Sequence, residues 1–66
     1  MAADRVPRSG ELWVARHTGT AVVVVEVTTD DDVVYQYRRS GNEHALTLLD
    51  FVGRYDWAAA DALVAP

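Results

Sequence analysis

Cysteine is absent from the 66 residues, which excludes disulfides and every thiolate-bound zinc or iron–sulfur site. Its absence also fits a reducing cytoplasm, the location expected here, or the host cytoplasm for a phage-encoded chain. Lysine and isoleucine are missing too, so all six basic residues are Arg. GC-rich codons favour Arg, Ala, Val, Gly and Asp, and the composition therefore points to a GC-rich genome such as that of an actinobacterium or one of its phages. Long hydrophobic runs are lacking: the longest, Ala21 to Val25, falls far short of the roughly 20 residues that span a bilayer. No membrane partner is expected. The opening MAADRVPRSGE has no apolar stretch and carries charge from residue 4, unlike a signal peptide. Positive charge is scarce, with six Arg against ten Asp and Glu and a net charge of −4. That balance argues against non-specific nucleic acid binding and leaves only a local basic patch as a route to it.

The chain is one small domain. At this size folding buries only about 60% of the surface exposed by the unfolded chain, so the core is marginal unless a disulfide, a metal or a partner supports it. Residues 1–9 are polar, contain Pro7 and show no period, and read as a flexible N-terminal arm. Residues 10–66 read as a single folded unit. Within it, Gly10 opens a strand over residues 11–17 in which Leu12, Val14 and Arg16 alternate with Trp13, Ala15 and His17. Thr18-Gly19 is a tight turn. A second strand runs from Thr20 to Thr28, Thr29-Asp30-Asp31 turns, and a third strand covers Asp32 to Arg38 with Val33, Tyr35 and Tyr37 on one face. Ser40-Gly41-Asn42-Glu43 forms a loop before a short fourth strand, His44 to Leu48. Thr47, three residues before Asp50, resembles a capping box for a helical turn through Leu48–Val52, with Gly53 expected to end it. Asp56 reads as the cap of a C-terminal helix through Trp57, Leu63 and Val64, favoured by its alanines.

Four short strands and a helical turn describe an all-β meander curling into a partly open barrel. The order Gly10-Glu11-Leu12-Trp13, Arg16-His17-Thr18-Gly19, Val33-Val34-Tyr35-Gln36-Tyr37 and Leu46-Thr47-Leu48-Leu49-Asp50-Phe51, ending at Tyr55, resembles the small SH3-like β-barrel proteins of bacteria and phages. The resemblance covers residues 10–55. It implies a barrel of about four strands with a short C-terminal helix, and a module that binds peptides, proteins or nucleic acid rather than an enzyme.

Val22 to Val25 break the alternation expected of a half-exposed strand. With Val23, Val25 and Val27 facing the interior beside Tyr35 and Tyr37, Val22 and Val24 lie outside and Val34 joins them. The opposite register exchanges the sets and again leaves one apolar stripe. Either the C-terminal helix or a second copy must cover it. Since that helix offers a narrow face, Trp57 with Ala60 and Val64, the expected outcome is a homo-oligomer using Val22, Val24, Val34 and Trp57. The other outcome is a monomer with the helix folded over the sheet.

Candidate chemistry is sparse. Asp30-Asp31-Asp32 lacks the spacing and distal Glu of a calcium loop and reads as a solvated turn that discourages edge pairing. His17, His44 and Glu43 follow no metal-ligand spacing. No nucleophile elbow or phosphate-binding Gly-rich loop is present. No enzyme activity, cofactor or metal is expected. Arg38 and Arg39, beside Tyr37 and with Arg16, His17 and His44, form the leading candidate binding spot, of the basic and aromatic kind used on single-stranded nucleic acid. The plainer reading is a solvated strand-end pair offset by Glu43 and Glu11. The sequence therefore supports a non-catalytic binding or assembly module whose partners are itself and a host or phage protein. A nucleic acid-binding barrel using Arg38, Arg39 and Tyr37, or a virion accessory protein, is the alternative.

Overall fold

Short apolar runs separated by Gly-, Asp- and Asn-bearing turns form strands here, as their alternation requires. The computed structural model describes residues 6–59. In it β1 (Leu12–Ala15), β2 (Ala21–Val27), β3 (Asp32–Tyr37) and β4 (Glu43–Thr47) make an antiparallel meander. Then α1 (Leu48–Arg54) leads to β5 (Tyr55–Ala59), which returns to pair with β1. The result is one five-stranded sheet in the order β4-β3-β2-β1-β5. Among the described residues the chain is mostly β, with one short helix joining the two edge strands.

The valine run divides between the faces, opposite to the sequence expectation. Val22 pairs with Tyr37 and Val24 with Tyr35, and both valines are fully buried in the core. The register then shifts between Val24 and Glu26, so that Val27 stands opposite Val33. A bulge inserts one residue and reverses the phase of alternation beyond it. The inner set is therefore Val22, Val24 and Val27 rather than Val23, Val25 and Val27. Val23 lies on the other face, level with Leu12 and Gln36, and is itself only 5% exposed. Val34, as expected, is on that outer face and half-buried. Val22 and Val24 thus have no surface to offer a second copy.

Trp13, Val22, Val24, Val33, Tyr35, Phe51 and Tyr55 form the core. Phe51 is its hub, meeting Trp13 edge-on at 5.2 Å and stacking on Tyr55 at 4.7 Å. It is placed there by α1, whose N-cap is Thr47, with Oγ1 accepting from the Asp50 amide at 3.3 Å, as the Thr47/Asp50 spacing anticipates. Gly53 does not end the helix, which continues to Arg54.

Two terminal expectations change. Residues 55–59 form a strand instead of the start of a helix: an antiparallel place beside β1 satisfies their backbone and buries Tyr55, which outweighs alanine's weak helical preference. Trp57 is consequently on a strand, in register with Trp13 and 40% exposed. Residues 60–66, including Ala60, Leu63 and Val64, lie outside the described residues, as do residues 1–5 of the expected arm. Residues 6–9 are fastened to the domain. Pro7 is fully buried, the Ser9 hydroxyl donates to the Val25 carbonyl at 2.9 Å, and the Gly10 amide donates to Val24. Glu11, also buried, accepts from the Arg8 amide at 2.9 Å and the Trp13 indole at 3.1 Å. Glu11 therefore ties this segment to the core and does not offset Arg38 and Arg39.

Candidate binding surface

Because consecutive strands are antiparallel, alternate turns gather at the same end of the sheet. The turn after β1 (Arg16–Thr20), the turn after β3 (Arg38–Asn42) and the joint between α1 and β5 share one end. The turn after β2 (Thr28–Asp31) and the start of α1 share the other, where the Leu48 amide donates to the Asp31 carbonyl.

Both turns at the first end are rigidly built. Gly19 and Gly41 have φ of 75° and 78°, the left-handed region that glycine enters without penalty. Thr18 Oγ1 accepts from the Thr20 amide at 3.3 Å and donates to the Thr20 hydroxyl oxygen at 2.9 Å, while Ser40 Oγ accepts from the Asn42 amide. Two open depressions flank the first turn and meet along Thr18 and Thr20. One, of about 660 Å³, is lined by Ala15, His17, Tyr37, Arg54 and Tyr55 together with the two threonines. The second, of about 480 Å³, adds Gly19, Ala21, Arg38 and Arg39.

The structure therefore brings together four of the residues singled out by sequence, His17, Tyr37, Arg38 and Arg39. Arg38 and Arg39 are exposed and hold no ion pair among the described residues. His44 stands behind Tyr37 with ring centres 4.8 Å apart. Arg16 does not join this spot. Its guanidinium forms a salt bridge with Asp56 at 2.7 Å and donates to the carbonyls of Gly53 and Val52, the last turn of α1. The Asp56 carboxylate correspondingly holds the Arg16 pKa above its usual value, and Arg16 holds that of Asp56 below its own, chiefly through their hydrogen bonds. The charge of Arg16 locks the helix to β5 and is spent there.

Arg54 and Tyr55 are members that sequence reading missed. They reach the depression only because β5 returns to β1, with Ala15 opposite Tyr55, and no local pattern signals that return. Tyr55 forms the floor: burial pushes its hydroxyl up to about 12, with the neighbouring Tyr35 hydroxyl adding to the shift. Of the residues expected for self-association, Val34 and Trp57 lie apart from this end. Among the described residues no group of three or more His, Asp or Glu converges as a metal site, and no helix is long and apolar enough to cross a membrane. Compared with family models, curated proteins and solved structures, the chain matches none.

What this end can do follows from its charge. With Arg16 and Asp56 paired to each other, Arg38, Arg39 and Arg54 stand here against Glu43, whereas Glu26, Asp30, Asp31, Asp32 and Asp50 occupy the opposite end. The acidic total conceals a basic, aromatic-floored tip.

Proposed function

We propose that the chain is a non-catalytic binding module of the small SH3-like barrel type, and that its binding face is the paired depression carrying Tyr37, His17, Arg38, Arg39 and Arg54. The strand order supports the barrel reading, since a meander whose fifth strand returns through a helical turn to the first is on the way to closure. One observation carries the function: unpaired arginines and a tyrosine floor converge on concave surface at one end of an otherwise acidic body. Concave apolar surface with a few convergent charges is the usual form of a recognition site. Its occupant is an anionic segment, with Tyr37 available to any apolar or aromatic group that the segment carries.

A short acidic protein segment fits better than a nucleic acid strand. It touches the basic tip alone, whereas a long polyanion also meets the field of five carboxylates further along the domain. Self-association through Val22 and Val24 has lost its basis, because both are core residues. Titration of the isotope-labelled protein with a short Asp/Glu peptide bearing one aromatic residue, and separately with oligothymidylate, tests the reading. Peptide-induced shifts at residues 17–20, 37–39 and 54–55, abolished by Arg38→Ala with Arg39→Ala, are expected. Shifts with oligothymidylate alone would transfer the site to nucleic acid, and no shift with either refutes it.

A further inference from the structure

The acidic end of the molecule is held by hydrogen bonds as well as charged. In the turn after β2 the Thr28 amide donates to Asp32, the Asp31 amide donates to Thr28, Thr28 Oγ1 accepts from the Asp32 amide at 3.1 Å, and the Asp31 carbonyl accepts from the Leu48 amide of α1. Asp30 and Asp31 are exposed at its apex, and Asp31 holds φ of 62°. The turn thus holds a preformed, exposed pair of carboxylates. At the other end of the same domain stands the open, arginine-rimmed depression.

Deepening the proposed function, and resting on it, we infer that the anionic segment taken up by the basic end is the Asp30–Asp31 turn of a second copy of this chain. The two ends are complementary in charge, and both are open to solvent. They cannot satisfy one another within one molecule, since seven residues of β2 hold them roughly 23 Å apart, well beyond the ~8 Å screening length at physiological salt. Each end is therefore free to attract its complement on a neighbour. The contact is heterologous, so successive copies add head to tail and the assembly grows with concentration instead of stopping at a two-fold dimer. Exposed ion pairs dominate it, which makes it weak and salt-sensitive, with a dissociation constant on the order of 0.1–1 mM at low salt.

Sedimentation velocity and concentration-dependent amide shifts of the full chain, up to about 1 mM, test this. At low salt the mean mass is expected to rise with concentration, with shifts growing together at residues 17–20 and 38–39 and at residues 28–32. Raising the salt to about 0.3 M should weaken association roughly tenfold. Arg38→Ala with Arg39→Ala, or Asp30→Asn with Asp31→Asn, should each abolish both sets of shifts. Asparagine keeps the size of the side chain and tolerates the left-handed backbone at 31, so the turn survives. A monomer at every concentration and salt overturns the inference, as do shifts confined to one end or centred on the outer sheet face around Val23 and Val34. A monomer that still takes the acidic peptide at residues 17–20 and 37–39 refutes self-docking alone. Failure of both experiments removes the binding face as well.

Discussion

Val24 and Val25 are neighbours of the same type in different environments, and the bulge decides which of them shares the inner face with Val27. That makes one substitution, made twice, a direct test of the register. Val24 is fully buried among the core residues, whereas Val25 is half-buried at the irregularity and faces away. Threonine preserves the branched shape and strand preference and adds one hydroxyl. At 24 that hydroxyl meets apolar side chains and goes without a partner, a cost of about 1–3 kcal/mol. At 25 it reaches water, and the change stays within about 0.5 kcal/mol. A domain of 66 residues has a total stability of only about 3–10 kcal/mol, so the first loss is a sizeable fraction of the whole. Thermal unfolding followed by circular dichroism should show Val24→Thr lowering the melting temperature by at least about 4 °C and Val25→Thr by less. Equal losses would refute the placement of Val24 inside the core and Val25 outside it. A larger loss for Val25→Thr would restore unbroken alternation, with Val23 and Val25 inside.

Other consequences can be measured in the same way. Glu11→Ala strips the acceptor from the buried Trp13 indole and the Arg8 amide, and a denaturant midpoint should register a loss of about 1–3 kcal/mol, with Glu11→Gln losing less. Gly53 lies in a helix with open space at its Cβ position, so Gly53→Ala should stabilise by about 0.4–1 kcal/mol in thermal melts. Gly41 has equal space but φ of 78°, and Gly41→Ala should instead destabilise by about 1–2 kcal/mol. The Tyr55 hydroxyl, raised to about 12 in the fold against 10 for the free side chain, favours the folded state fully below pH 10. That contribution is lost as pH rises from 10 through about 12, so alkaline unfolding should begin in this window, and Tyr55→Phe should remove its steepest part.

What the sequence displayed and what it hid can be told apart residue by residue. Local signals were legible: the glycine turns at 19 and 41, the Thr47 cap, and the shared face of Val33, Tyr35 and Tyr37 are each settled within a few positions of the chain. The valine register was not, because a bulge leaves no mark in a run of identical side chains. Counting back from Val27 in strict alternation therefore put Val23 and Val25 inside. The C-terminal strand was hidden for a different reason. Tyr55–Ala59 takes its conformation from β1, 40 residues away at Ala15, and its alanines argue locally for a helix. The same long return carried Arg54 and Tyr55 into the candidate site unseen, and Asp56 reached back to withdraw Arg16 from it.

Strand β1 pairs on one side with β2, a turn away, and on the other with β5, so that half of its ladder waits for the far part of the chain. Closing a loop of that length carries an entropic cost that the β2–β3 and β3–β4 hairpins do not meet. Folding is therefore expected to run from the central hairpins outward, with docking of β5 as its final step. Pulsed hydrogen exchange should protect the amides of β2 and β3 first and those of residues 55–59 last. Until that step, the outer edge of Leu12–Ala15 is an open row of donors and acceptors, available to any other extended chain. During synthesis this strand has only one neighbour until residues 55–59 have been made, and the vulnerable interval for misassembly is set by the time between them.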